Sequence, residues 1–484
     1  MTIARPAPLV RENANEFLSK GQGRFLLTLA SVLVLCPVLA GIGLLPASLF
    51  GLTAMLTWLI AVITVMYVGV ICYKSILIAA SMKEVPPPPG AGTPHSAPLR
   101  SYTILVPLYK EAAILGQLIS NLDQLNYPRN LLQVLVLVED DDDETITALA
   151  EITLPDHFTV VLVPESFPRT KPKACNVGLE QATGEYCVIY DAEDRPDPNQ
   201  LLAAVEAFSN APRDVVCVQA ELQYFNPSTN VLTRWFAAEY ACNFSLVLPG
   251  LTRLNAPVPL GGTSNHFRTR MLRDLGGWDG YNVTEDADLG IWIARARQRV
   301  AIIDSVTWEE ANSRVGNWVR QRSRWIKGYI QTYLVHMRHP ILLMRQLGLR
   351  NFLSFQFVVG GTPLTLLANP IFWGLTTAYV VFGQQWVSNV FPTPIFYLGV
   401  ASMIVGNFAT LWFQMAACMK RGLYPSIKWL LVVPVYWALM SIAAFKAFSQ
   451  LLNPRLRHHW EKTTHGLVVE DGTPNTANPI GVPV

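Results

Sequence analysis

The residues that could do chemistry fall between positions 100 and 340. Asp191-Ala-Glu193-Asp194 follows Val188-Ile-Tyr, so its carboxylates stand at the end of an expected strand. Acids two apart at a strand end can reach one hard divalent cation, which would neutralise charge building on a departing diphosphate. The same residues also read as an acidic turn, with Pro196 and Pro198 ending the strand. Thr284-Glu285-Asp286 precedes a helical stretch carrying Arg295 and Arg297. A carboxylate held there could take the proton of an attacking hydroxyl. Equally, Thr284 could cap the helix, whose first turn favours acids. Gln321-Arg322-Ser323-Arg324-Trp325 lies on an expected helix with Trp318. Guanidinium groups suit phosphate oxygens and a Trp face suits a sugar ring. A basic helix with a Trp anchor beside a membrane is the alternative. Lys173, in Lys171-Pro-Lys-Ala-Cys-Asn176, is a candidate phosphate partner. Tyr109, in Pro107-Leu-Tyr-Lys-Glu111, could stack on a base or simply pack.

These clusters need a scaffold. Apolar runs at Tyr102–Val106, Gln133–Val138, Thr159–Val163 and Tyr186–Tyr190 alternate with polar segments of helical length. This alternation predicts a parallel sheet with helices on both faces. Ligands of such sheets sit at the carboxyl ends of strands. The acidic clusters Glu139–Asp143 and Asp191–Asp194 both fall there.

Around this region the chain is apolar. Of its 484 residues 51% are hydrophobic and 15% charged, a balance that suits a membrane protein. The net charge of +2 and the absence of a basic tract argue against a nucleic-acid partner. The seven cysteines are scattered, with no CxxC pair, which excludes a zinc site or disulfide framework; most should be buried thiols. Phe25 to Tyr73 carries no charge, room for two spans with a turn at Pro46–Leu52. A cleaved signal peptide is the rival reading, but the stretch is too long and a second span follows. Arg11, Lys20, Arg24, Lys74 and Lys83 flank the pair, placing both ends in the cytoplasm by the positive-inside rule. Asn351 to Met419 has room for two more crossings. Trp429–Leu452 reads as a bent or interfacial helix, because a crossing would export Arg455, Arg457 and Lys462; a third span in this region is the alternative. The expected layout is therefore a membrane region over 1–84, a Pro-rich linker over 85–99, a catalytic domain over 100–340, a second membrane region over 341–453, and a terminal segment over 454–484 that ends in a disordered tail.

The order of these motifs between membrane segments resembles the membrane-integrated family 2 glycosyltransferases, above all the cellulose-synthase-like and hyaluronan- and chitin-synthase-like members. The resemblance covers roughly Ser101 to Pro340 and rests most on Gln321-x-x-Arg324-Trp325 following Thr284-Glu285-Asp286; Gly261-Gly262-Thr263-Ser264 resembles the family's small-residue segment near the acceptor. It implies an α/β GT-A fold, Rossmann-like, inserted between transmembrane helices, and an inverting hexosyltransferase reaction. Tyr109 and Glu111 would then sit at the nucleotide base, with Glu139, Asp140 and Asp141 at the first acidic position, where the family usually has two Asp. Lys173 would approach the diphosphate. Asp191 and Glu193 match an Asp-x-Asp metal motif with Glu in the second place, for Mg²⁺ or Mn²⁺. Asp286, beside Glu285, looks like the catalytic base. Gln321 and Arg324 would hold the diphosphate, while Trp325, Gly262, Thr263 and Thr284 would meet the acceptor. Trp460, Lys462, Thr463 and His465 resemble a gating segment of this group. The donor implied is a UDP-sugar, UDP-glucose first, and the product a growing β-linked polysaccharide. Transfer of one or a few sugars to a membrane lipid is the alternative, and an inactive nucleotide-sugar-binding subunit of an export complex a more distant one. The expected setting is a bacterial inner membrane with a cytoplasmic catalytic domain, with export partners or a homo-oligomer left open.

Overall fold

A computed structural model of the chain describes residues 11–82, 97–383, 387, 390–391, 393–459 and 461. Most of the Pro-rich linker lies outside them, as do Trp460, Lys462, Thr463, His465 and the rest of the tail. Two apolar helices come first, α1 (Lys20–Gly41) and α2 (Leu52–Ser81). The reversal between them begins earlier than expected, at residues 42–46, and Pro46 opens a short helical turn, Ala47–Phe50, rather than a loop.

The domain between the apolar helices is built on an eight-stranded sheet: β1 (Tyr102–Leu108), β2 (Leu132–Glu139), β3 (Phe158–Val163), β4 (Tyr186–Ile189), β5 (Arg195–Pro196), β6 (Val215–Tyr224), β7 (Asn265–Arg268) and β8 (Arg299–Glu309). The strands lie in the order β3-β2-β1-β4-β7-β6-β8-β5. Strands β1 to β4 match the four apolar runs and pair in parallel. Their side chains alternate between two cores. Ile104, Val106, Val134 and Val136 enter one, while Leu105, Leu135 and Leu137 enter the other. Burial on both faces is why these strands read as near-continuous apolar runs. The sheet is not wholly parallel, as the alternation had predicted. Strand β7 runs antiparallel to both β4 and β6. It has only four residues, Asn-His-Phe-Arg, too short and too polar to announce itself by periodicity.

Five helices of the domain matter to the site: α3 (Lys171–Gln181), α4 (Val231–Cys242), α5 (Leu248–Arg253), α6 (Glu285–Arg295) and α7 (Val315–His336). Helix α5 lies against the end of α2 so closely that a Cβ at Gly250 would collide with the Leu77 carbonyl. Beyond the domain come α8 (Pro340–Phe355), α9 (Gly361–Val380), α10 (Asn407–Lys420) and α11 (Pro434–Leu452). Pro434 does not break α11 but opens it, where its missing N–H costs nothing. Among the described residues, five helical stretches are long and apolar enough to cross a membrane, and α11 is one of them. All seven cysteines are free and five are buried.

Candidate active site

The loop leaving β4 is fastened from within. Asp194 accepts the Asp191 amide at 2.7 Å, and the Thr263 hydroxyl donates to the same carboxylate. Asp194 is therefore spent on holding the turn against the segment that leads into β7, and among the described residues its buried Oδ1 has no partner. Asp191 and Glu193 instead line a cavity of about 490 Å³. The residues facing them include two that sequence reasoning passed over. Lys171, the first residue of α3, forms an ion pair with Asp191 and donates to the Gly262 carbonyl at 2.8 Å. Lys173, two positions on, points elsewhere and pairs with Glu139 at 2.6 Å. A Pro at position 172 and a helix start at 171 set the two ammonium groups on different sides of α3. The second residue is Glu309, which ends β8 and lines the same cavity.

The electrostatics follow from crowding. Burial lifts the Glu309 carboxyl well above the usual range, and Asp194, Glu193 and Asp191 add to the shift. Burial opposes the charge of Lys171, but Asp191 and Glu285 outweigh it and raise the ammonium's pKa. Burial and the neighbouring Asp286 push Glu285 up to about 8, against the pull of Lys171. Asp286 itself is raised to about 6 by burial. Uncompensated acid around one lysine is the kind of site that takes a divalent cation. Among the described residues no three His, Cys, Asp or Glu side chains form a closed metal cage. Asp191 and Glu193 fit an open site, in which phosphate oxygens would complete the shell of a hard cation.

Helices α6 and α7 bring the remaining groups. Thr284 occupies the N-cap of α6 without capping it through its side chain, and among the described residues its buried hydroxyl has no partner. It is wedged against Gly328 of α7, where a Cβ would collide with it. This contact lets α7 approach the start of α6. Gln321, Arg324 and Trp325 then line the cavity together with Thr284, Glu285 and Asp286. Gln321 accepts from Asn312 at 2.9 Å. Arg324 donates to the Glu461 carbonyl at 2.9 Å, and Trp325 stacks on Tyr240 with centroids 6.0 Å apart. Gly262 lies beside Asp286; a Cβ there would stand 3.6 Å from its Oδ2. Arg322 is used structurally, in a two-pronged pair with Glu239 and a 2.9 Å bond to the Tyr436 hydroxyl of α11. Asp288, one turn into α6, is likewise tied to His336 at 3.0 Å and Arg11 at 3.2 Å.

The expected base-binding residues are not in this cavity. Tyr109 is exposed, Asp140 accepts the Glu165 amide at 3.0 Å, and Asp141 pairs with Arg169 at 2.8 Å. Glu111 and Glu139 stand with them at the carboxyl ends of β1 and β2.

Residues 98–328 match the family model described as "Glycosyltransferase like family 2". A probable glycosyltransferase of Bacillus subtilis, YdaM, is 24% identical over 48% of this chain and 55% of its own length. The beta-monoglucosyldiacylglycerol synthase of Synechocystis is 25% identical over 86% of this chain and 84% of that protein. Among solved structures, a mannosyltransferase of Pyrobaculum calidifontis is 21% identical and covers 82% of this chain and 99% of that one, with a TM-score of 0.49. Residues 98–328 are thus similar to family 2 glycosyltransferase domains, and they fold as a mixed sheet of GT-A type with an acidic strand-end loop and apolar helices on either side.

Proposed function

We propose that the protein transfers a hexose from a UDP-sugar, UDP-glucose first, to the hydroxyl of a membrane lipid. One observation carries this reading. The catalytic cavity adjoins a chamber of about 820 Å³ between the apolar helices, and the two share Val70, Lys74, Glu239, Leu366, Gln414 and Met440. The chamber wall is largely aromatic and aliphatic, including Phe372, Trp373, Phe396 and Trp437. The aliphatic and aromatic surface of such a wall suits an acyl chain. A lipid lying there would present its hydroxyl to the cavity that Asp286 lines. The Synechocystis relative, named for a glycolipid product, matches through the membrane helices as well as the domain.

In this reaction Asp286 takes the proton of the acceptor hydroxyl as its oxygen attacks the anomeric carbon. The bond to the diphosphate breaks, and the nucleoside diphosphate leaves with the electron pair. Lys171 and Arg324 offset its growing charge. Asp191 and Glu193 would hold a Mg²⁺ or Mn²⁺ ion that shares this load. Attack opposite the leaving group turns an α-linked donor into a β-linked product. Glu285, held beside Lys171, keeps that ammonium turned toward the cavity. Tyr109, Glu111, Glu139, Asp140 and Asp141 are assigned to the nucleoside end of the donor. Trp325, with Thr263 and Thr284 behind it, is assigned to the acceptor side.

The domain is taken to face the cytoplasm of a bacterial inner membrane, where nucleotide sugars are made. Helix α11 is read as lying at the interface. It is the most protein-covered of the candidate spans, at 39%, and packs beside the charged helix α7. The chain after it returns over α7, where Lys327 donates to the His459 carbonyl at 2.9 Å and Gln331 to that of Arg457 at 3.2 Å. Glu461, further along that route, accepts from Arg324 of the cavity at 2.9 Å. A processive β-glycan synthase is the second reading, favoured by Gln321, Arg324 and Trp325 standing together at the site. Purified protein given labelled UDP-glucose and membrane lipid separates the readings. Label in a discrete organic-soluble product supports lipid transfer. A size-distributed polymer supports the second reading, and no incorporation from any nucleotide sugar refutes both.

A further inference from the structure

A second polar cavity, of about 390 Å³, lies away from the active site between α5, the end of α6, the start of β8 and α8. Its wall holds three arginines, Arg297, Arg299 and Arg345, against a single acid, Asp214. Asp214 accounts for one of them, pairing with Arg299 at 2.6 Å. Among the described residues no ion pair engages Arg297 or Arg345. Among the described residues two buried atoms of the wall also lack partners: the Nε donor of Arg299 and the Oδ1 acceptor of Asn351. The Asn351 amide is oriented by its NH₂ group, which donates to the Asn255 carbonyl at 3.1 Å. The cavity therefore offers an excess of positive charge, an unmet N–H and an unmet acceptor.

Its position says where the complementary group comes from. Helix α5 is stitched to the end of α2 through Arg253, which donates to the Ala80 carbonyl at 2.9 Å. Helix α8 begins the third candidate span, Pro340–Val380. Beside the arginines α8 exposes Ile341, Leu349 and Leu353, at 64%, 63% and 43%. Apolar side chains left bare next to a basic recess, at the junction of two candidate spans, form a surface that meets headgroups and acyl chains together.

We propose that this cavity binds the headgroup of an anionic glycerophospholipid. The phosphodiester sits among Arg297, Arg299 and Arg345, Arg299 Nε donates to one of its oxygens, and Asn351 Oδ1 accepts from a headgroup hydroxyl. The site is distinct from donor and acceptor binding and anchors the domain at its membrane-facing edge. Full-length protein in neutral detergent is titrated separately with phosphatidylglycerol, phosphatidylcholine and inorganic phosphate, and the dissociation constant is read from the shift in Tm. Phosphatidylglycerol is expected to raise Tm saturably, while the other two do not. At about fivefold per arginine near a membrane surface, the double variant Arg297→Ala, Arg345→Ala should weaken phosphatidylglycerol about 25-fold. Arg129→Ala, on the far side of the domain, should leave it unchanged. An equal response to phosphatidylcholine, a response to phosphate alone at the same concentration, or unchanged affinity in the double variant would overturn the proposal. None of these readouts involves sugar transfer, so the outcome stands apart from the identity of the acceptor.

Discussion

Replacing Lys171 by Met should cripple the enzyme, and replacing Lys173 by Met should not. Lys171 is the cation paired with Asp191, and its side chain is 14% exposed against 30% for the acid. A fully buried pair broken on one side costs about 3–5 kcal/mol. Partial exposure on the acid's side puts this one at or below the low end of that range. Removing one preorganised donor from a developing anion costs about 2.7–4 kcal/mol, or roughly 100- to 1,000-fold in kcat. The first figure is folded-state stability, read from Tm, and the second is transition-state stabilisation, so Lys171→Met should lower kcat by about 100-fold on the second ground alone. Lys173 holds Glu139 and the Pro164 carbonyl on the nucleoside side, so Lys173→Met should act mainly on donor KM, by about tenfold or less. Steady-state kinetics with varied UDP-sugar, on variants whose Tm shows them folded, separates the two effects. A Lys171 variant with near-normal kcat, or a Lys173 variant with the larger kcat loss, would refute the assignment of the diphosphate to Lys171.

Asp286→Asn should lower turnover by about 100- to 10,000-fold while sparing donor binding, measured by calorimetry. With its pKa raised to about 6, Asp286 serves as a base only above that pH; kcat/KM should therefore fall about tenfold per unit below pH 6, and an acid limb centred near 4 would contradict the role. Trp325→Ala should impair transfer to acceptor more than donor hydrolysis, and a parallel fall in both would mean that Trp325 positions the donor or merely packs. Gly328→Leu drives a side chain into Thr284 and should cost about 1–3 kcal/mol of stability together with most activity; an unchanged Tm and rate would show that the α6–α7 contact does not set the site. Excess chelator should abolish turnover and Asp191→Ala should remove metal-dependent donor binding; full activity in chelator would exclude the metal site.

Strands β1 to β4 were legible because burial on both faces leaves an uninterrupted apolar signature, and the acidic loop could be placed at a strand end for the same reason. The membrane helices were legible because hydrocarbon tolerates no charge over a full crossing. Those signals depend only on neighbours in the chain. What the sequence left open depends on contacts between distant residues. The choice between Lys171 and Lys173 turns on the phase of a helix start, which a one-residue shift reverses. The role of Asp194 turns on Thr263, 69 residues away. Glu309 joins the site only because β8 pairs alongside β6 and ends beside the β4 loop, and nothing about Glu309-Glu310 advertises that. Arg322 and Arg324 are two apart on one helix and both reach the cavity, yet Arg322 is tied to Glu239 and Tyr436 while Arg324 donates to the Glu461 carbonyl. The sequence by itself determined that a polar α/β domain sits among long apolar helices, because runs of apolar residues need no distant partner to be read. Tertiary packing alone decided which of its many charges face the cavity, because a buried charge keeps the partner that the fold brings within a few ångströms.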